Sequence, residues 1–416
     1  MTAARFLPWL LKHWGPPFTE VEWNAARKST LPEEPVGLYC HIPFCRQLCS
    51  FCPYCKALYE ETTANAYITA LIQEIDLVAQ QYGLDRQKKE VTDLYFGGGT
   101  PALLAGQLGM VIHHLRQYFA IRGGIAIELH PDDLTEVTLE ALVQAGITMI
   151  SVGVQSFDAT VLQNLGRSAD DMAQRMALVR ACSFQVIDMD LIFGIAGQTV
   201  ASLRQDMFQA RMLGATQIST YPLIRFSYTH ATSLPASPRQ QRQLLDVLAD
   251  CARELGLERT SVWTFAQPDS IPYTSVTRPA FIGFGVSALS QTGPHLRINP
   301  FSVKEYCLNL QKRQLPQQRC LAFNSRQHGL YVLFWQAFRL HLDKSDFQKR
   351  TGQEMDRCLP DLLLLARLLG WIRRKQDGSG YQLTRRGIRL YHEVEQQVTH
   401  QLLDPVWRQS TLQGKL

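Results

Sequence analysis

From residue 36 onward the chain alternates short apolar, β-branched runs with stretches in which apolar residues recur every three or four positions. Apolar runs of four to eight residues predict strands, and the 3.6-residue rhythm predicts helices. On that basis strands fall at 36–41, 91–96, 125–129, 148–154, 186–193 and 218–223. Helices fall between them at 67–78, 103–119, 134–145, 172–182 and 203–213. The first helix rests on Ile68, Leu71, Ile75 and Val78, which share one face at this spacing. Six strand–helix alternations predict an α/β fold with a parallel sheet, curled as a partial (β/α)6-type barrel. The conspicuous polar residues lie just past the carboxyl ends of these strands, where such folds carry their chemistry.

The rhythm breaks near 230–240, at Pro235, Ser237 and Pro238. A helix at 240–255 and a strand at 260–265 follow, then the run Ile282-Gly-Phe-Gly-Val-Ser-Ala-Leu-Ser290, whose glycines mark tight packing or close backbone approach. Residues 312–325 are polar, contain Pro316 and read as a linker. Beyond 326 the pattern is helical, with helices at 330–342, 355–369 and 388–398 and a hairpin at 371–383 turning on Asp377-Gly-Ser-Gly380. Helices with a two-stranded wing predict a winged-helix-like module. The expected division is an N-terminal extension (1–35), a barrel core (36–230), a barrel extension (231–315) and a C-terminal helical lid (326–416).

Composition narrows the function. In 416 residues, 42 basic and 37 acidic side chains leave a net charge of +5, too mild to call for nucleic acid. Arg373, Arg374, Lys375, Arg385 and Arg386 on the wing therefore read as a solvated rim of a packing module. No apolar stretch approaches the roughly 20 residues of a spanning helix, and there is no secretory signal, so the expectation is a cytoplasmic protein with reduced thiols. The segment at 6–14 carries Trp9, Lys12, His13 and Trp14. Packing on the body is its first reading and peripheral contact with a bilayer its second.

The chemistry concentrates in Cys45, Cys49 and Cys52, a C-x3-C-x2-C cluster. Three thiolates this close can hold three irons of a [4Fe–4S] cluster and leave the fourth iron open to S-adenosylmethionine (SAM). A structural zinc site wants four ligands, usually in two separated pairs. A ferredoxin site uses four cysteines ending in Cys-Pro, whereas here Pro53 follows the third. Cys40 and Cys55 read as bystanders. A reduced cluster cleaves SAM to methionine and a 5′-deoxyadenosyl radical, which abstracts hydrogen from unactivated C–H bonds, while the protein holds the parts and excludes water. Phe51 can pack on an adenine, and Gly97–Gly99 let backbone approach a ligand closely. Glu128, Gln155 and Asp190 at strand ends, with Arg167, form a candidate ligand ring.

Residues 38–290 resemble radical SAM enzymes related to oxygen-independent coproporphyrinogen III oxidase. The matching pieces are Leu38-Tyr-Cys-His-Ile-Pro-Phe-Cys45, Tyr95-Phe-Gly-Gly-Gly-Thr-Pro101, Ser151-Val-Gly-Val-Gln-Ser-Phe157, Leu165-Gly-Arg167, Asp190-Leu-Ile-Phe-Gly194 and Gly283-Phe-Gly-Val-Ser-Ala288. Leu383-Thr-Arg-Arg-Gly387 looks like the end of the family's C-terminal domain. The resemblance implies a radical SAM barrel and two bound SAM molecules. Tyr39, Gly98 and Glu128 match contacts to the first, and Phe51, Gly99, Thr100, Gln155, Arg167 and Asp190 match contacts to the second. It also implies a small-molecule substrate, a quinone or a tetrapyrrole, and an electron donor such as flavodoxin or ferredoxin.

Two departures bear on the subfamily. The decarboxylating oxidase is expected to follow its third cysteine with Gly-Cys, where this chain has Pro53-Tyr54-Cys55. The related haem chaperones are expected to carry His-Asn-x-x-Tyr-Trp, where this chain has Tyr273-Thr-Ser-Val-Thr-Arg278. By elimination, the expected branch is a class C methyltransferase acting on an sp2 carbon, as in menaquinone C8 methylation. Coproporphyrinogen oxidation and haem transfer are the alternatives.

Overall fold

Six strands run parallel, each the neighbour of the next in sequence: β1 (Val36–Ile42), β2 (Lys89–Gly98), β3 (Ile125–Leu129), β4 (Met149–Gln155), β5 (Val186–Phe193) and β6 (Gln217–Pro222). The computed structural model describes residues 19–20, 31–84, 87–168, 170–230, 233–271, 273, 280–316 and 319–413. Trp9, Lys12, His13 and Trp14 lie outside these residues, as do 274–278. Helices α1 (Glu61–Tyr82), α2 (Ala105–Tyr118), α3 (Glu136–Gln144), α4 (Met172–Ala181) and α5 (Val200–Met212) link the strands, as a parallel sheet requires. Strands β3 and β5 span the residues expected from the pattern. Helix α1 is longer than its apolar stripe because Glu60 caps its start by accepting the Thr63 N–H, while Gly83 closes it at φ 65°.

Alternation along the strands separates two faces. Leu38, Cys40, Phe96, Ile127, Ile150, Val152, Met189 and Leu191 are buried in the large apolar core with the helices. The opposite face carries Tyr95, Ala126, Met149 and Val186, packed with Tyr273 and Tyr39 in a small cluster of their own. Glu128, Ser151, Asp188 and Asp190 share that second face at two-residue spacing from it.

The sheet continues past both ends of the parallel set. Beyond β6 lies β7 (Thr264–Ala266), antiparallel, so the strand expected at 260–265 is two short strands, Glu258–Arg259 and Thr264–Ala266, paired with each other. Beyond β1 lies β8 (Phe281–Phe284), parallel, then β9 (Leu289–Thr292), β10 (His295–Ile298) and β11 (Arg319–Ala322), antiparallel. Strand β11 corrects the expected linker: Cys320 and Leu321 are buried, but four residues between polar flanks make too short a run to stand out. The glycine run at β8 is held from α1. Fully buried Glu74 accepts the Gly285 N–H at 2.6 Å, Asn299 Nδ2 at 2.7 Å and the Tyr306 hydroxyl at 2.7 Å.

The C-terminal part begins at α7 (Ser325–Phe338); α6 (Pro238–Glu254) and a shorter helix at Val303–Gln311 come before it in the chain. The helix expected to reach 342 stops at 338, because Leu340 takes φ +68° and His341–Asp343 pairs as a strand with Gly380–Leu383. The helix expected at 355–369 divides at Leu359, the residue before Pro360, where proline disfavours helical backbone. The expected hairpin forms from Ile372–Arg374 and Gly380–Leu383. Helix α8 (Arg385–Val398) does not end the fold: a π-turn at Thr399–Leu403 leads to α9 (Asp404–Gln413). Among the described residues no helix is long and apolar enough to cross a membrane.

Candidate functional site

The three cysteines lie in the loop between β1 and α1, and four neighbouring turns meet that loop. From the turn after β2, the Gly99 N–H donates to the Ile42 carbonyl at 2.8 Å and the Thr100 N–H to the Phe44 carbonyl at 2.7 Å. From the turn after β3, buried Asp133 pairs with Arg46. After β4, Arg167 donates to the Gly153 carbonyl at 2.8 Å, and a second guanidinium nitrogen lies 3.8 Å from Cys49 Sγ. After β6, the Tyr228 hydroxyl donates to the Pro53 carbonyl at 2.7 Å. Within the loop, Lys56 Nζ donates to the carbonyls of Cys49 at 2.5 Å and Cys52 at 2.8 Å.

His41 ties the far end of the loop to β1. Its Nε2 lies 2.9 Å from the Cys55 carbonyl, which can only accept, so Nε2 carries the proton and Nδ1 accepts the Tyr39 hydroxyl at 2.9 Å. Burial lowers this imidazole to about 4, so it is neutral at neutral pH. Its ring fills the space above Gly98: a Cβ there would come within 2.6 Å of it, at a φ of +117°.

The glycine triplet has a local cause at each position. A Cβ on Gly97 would meet Tyr95 and Glu128, and one on Gly99 would meet the Phe44 carbonyl at 2.7 Å. Close approach is thus required by protein neighbours themselves. Glu128 accepts the Tyr95 hydroxyl at 2.7 Å and the Gly98 N–H at 3.1 Å, and burial raises its pKa. Asp190 accepts the Ser151 hydroxyl at 2.6 Å; burial and the adjacent Asp188 push its pKa well up. Asp188 is raised to about 6 by burial, although Ser219 and Gln217 donate to it at 2.6 and 2.8 Å. Three carboxyls on one interior face favour a cationic ligand, and SAM carries a sulfonium and an ammonium group. Gln155 adopts φ +74°, a conformation uncommon for residues other than glycine. Phe51 packs beside Val161, Leu165, Ile192, Ile195 and Leu223.

These residues fit a cluster with a ligand beside it. Arg167 Nε and Asp188 Oδ1 are buried without a hydrogen-bond partner among the described residues, and buried polar atoms normally have one. Among the described residues no three His, Cys, Asp or Glu side chains converge on a single metal ion. Burial pushes the Cys45 thiol up to about 11 and raises Cys52, while Lys56 opposes both shifts. The Cys55 thiol donates to the Phe301 carbonyl at 3.2 Å and is raised to about 12 by burial, and Cys40 is fully buried in the core. His41, Arg46, Lys56, Ser151, Asp188 and Tyr228 are site neighbours that the sequence reading passed over. Only Asp188 had a local signal, two residues before Asp190 on the same strand face.

Helix α9 packs against the turn after β6 and the cysteine loop. Ser227 donates through its N–H and hydroxyl to Asp404, both at 3.0 Å. The Trp407 ring stacks on Phe226 with centroids 5.7 Å apart, and lies 6.1 Å from Tyr54 of the cysteine loop.

Residues 39–210 match the model of the radical SAM superfamily. An oxygen-independent coproporphyrinogen III oxidase of Pseudomonas aeruginosa is 28% identical over 74% of this chain and 72% of its own length. The haem chaperone HemW of Bacillus subtilis is 25% identical over 86% of this chain and 97% of its own. The solved coproporphyrinogen III oxidase HemN of Escherichia coli superposes with a TM-score of 0.74 at 24% identity, covering 93% of this chain and 97% of that one. Over residues 39–210 the chain is similar to radical SAM proteins, and its fold is that of the solved oxidase. The chain is related to the oxygen-independent coproporphyrinogen III oxidases and the HemW haem chaperones. The radical SAM likeness implies a [4Fe–4S] cluster and SAM. These two relatives are named an oxidase and a haem chaperone, so the expected menaquinone methyltransferase branch loses its first place to the two alternatives.

Proposed function

We propose that the protein is a radical SAM enzyme whose substrate is a tetrapyrrole. Cys45, Cys49 and Cys52 would hold the [4Fe–4S] cluster, which when bound supplies the electron that splits SAM into methionine and a 5′-deoxyadenosyl radical. Tyr39, Gly98 and Glu128 bind the SAM nearest the cluster, with the Glu128 carboxylate suited to its ammonium group. Phe51, Gly99, Thr100, Gln155, Arg167 and Asp190 hold a second SAM, Phe51 offering an apolar face and Arg167 a guanidinium to a carboxylate. The observation that carries the reading is Arg167, which spans the Gly153 carbonyl and the Cys49 thiol with its Nε left over. It joins the second group of residues to the cysteine loop. Residues 326–416 act as the lid, with Trp407 beside Tyr54, and the electron comes from a flavodoxin- or ferredoxin-like donor.

The tetrapyrrole is favoured because coproporphyrinogen and haem, named in the relatives, are both tetrapyrroles. The test is anaerobic reaction of the reconstituted full chain with reductant, labelled SAM and either coproporphyrinogen III or menaquinone, alongside haem titration. Tetrapyrrole-dependent 5′-deoxyadenosine formation is expected. Stoichiometric haem binding without turnover would make the protein a chaperone, and label appearing in the quinone would restore methyl transfer. Cys49→Ala should abolish both the cluster spectrum and SAM cleavage; retention of both would refute the ligand assignment.

A further inference from the structure

Lys56 stands four residues past Cys52, outside the cysteine motif. Its ammonium bonds two backbone carbonyls of one short loop, those of Cys49 and Cys52. A lysine fixed in this way gives up roughly 2 kcal/mol of rotamer freedom, which charge-assisted hydrogen bonds can offset.

We infer that Lys56 is a positioning residue for the cluster: its ammonium holds the chain at two of the ligand positions, and its charge raises the reduction potential of the cluster they carry. The inference rests on the reading that Cys45, Cys49 and Cys52 ligate a [4Fe–4S] cluster. A reduced cluster bears one more negative charge than the oxidised one, so a fixed cation beside it favours the reduced form. Net charge and hydrogen bonding near the sulfurs are among the terms that set such potentials. Arg46 in the same loop is paired with Asp133, and Arg167 is anchored on β4 and approaches a side chain. Lys56 acts on the loop's own backbone.

The test uses the full chain, reconstituted anaerobically with iron and sulfide. Lys56→Gln keeps two N–H donors for the two carbonyls and removes the charge; Lys56→Arg keeps the charge. Iron content and midpoint potential, the latter from a redox titration followed by electron paramagnetic resonance, are read in each. Lys56→Gln is expected to retain its cluster with a midpoint below that of the wild type, while Lys56→Arg stays near it. Loss of iron from Lys56→Gln alone would also support the inference, since Lys56→Arg keeps both the charge and the reach that the shorter, neutral glutamine gives up. Equal midpoints in Lys56→Gln and the wild type would overturn it, as would loss of iron from both variants alike. A wild-type chain that binds no cluster would instead overturn the ligand assignment beneath it.

Discussion

Tyr39, His41 and Cys55 are linked by two hydrogen bonds around one neutral imidazole, and Gly98 leaves room for that imidazole. Gly98→Ala forces a methyl group into the ring and strains a left-handed backbone, so a loss of roughly 1–3 kcal/mol is expected from overpacking. Thermal unfolding measures it, and an unchanged midpoint would show that the His41 ring can move aside. Much of the candidate ring was legible at this scale. Glu128, Gln155 and Asp190 announce themselves because strand ends are visible as apolar runs that stop at polar residues. Lys56, Arg46 and His41 do not. Arg46 and Asp133 are 87 residues apart, and no local pattern records that they touch.

Helix α1 does more than cover the sheet. Its Tyr67 hydroxyl donates to the His41 carbonyl at 2.6 Å and accepts the Val286 N–H at 2.9 Å, and its Glu74 gathers Gly285, Asn299 and Tyr306. One helix therefore registers β8 against the start of the cysteine loop. Glu74→Ala strands those buried donors, each costing about 1–3 kcal/mol. The chain is expected to express poorly or melt at least several degrees lower, with Glu74→Gln intermediate; differential scanning of the purified variants decides this. Elements were read well where pattern and breaker coincide, as at β5, which ends on Gly194 at φ +76°. They were misread where periodicity outlasted the backbone. Leu340 and Leu342 continue the apolar rhythm of α7, yet the chain has already turned at Leu340. Strand β11 depends on β10 beside it, a partner that local sequence does not name.

Across the whole molecule, α8 packs the C-terminal part onto the barrel. His392 stacks on Phe193 at 5.6 Å and accepts the Trp263 indole N–H at 3.3 Å. One turn further, burial raises Glu395 from 4.5 to about 7, with one oxygen accepting the Thr399 hydroxyl at 2.9 Å and the other without a hydrogen-bond partner among the described residues. A raised acid favours folding in its neutral form. Its contribution is complete below about pH 4.5 and is lost as pH rises through about 7. Relative to the wild type, Glu395→Gln should therefore gain on the order of 2–3 kcal/mol between pH 5 and pH 8. The constant cost of the amide appears at pH 5, and the ionisation appears in the change. Unfolding midpoints of both proteins across that range measure it, and parallel curves would place the ionisation elsewhere. The packing of α9 carries a consequence for assembly. Chains emerge from the ribosome amino end first, and their parts fold in that order. The cysteine loop and its barrel precede Trp407 by more than 170 residues' worth of synthesis. The cysteine loop is therefore synthesised, with room to fold, well before Trp407 can come to rest beside its Tyr54.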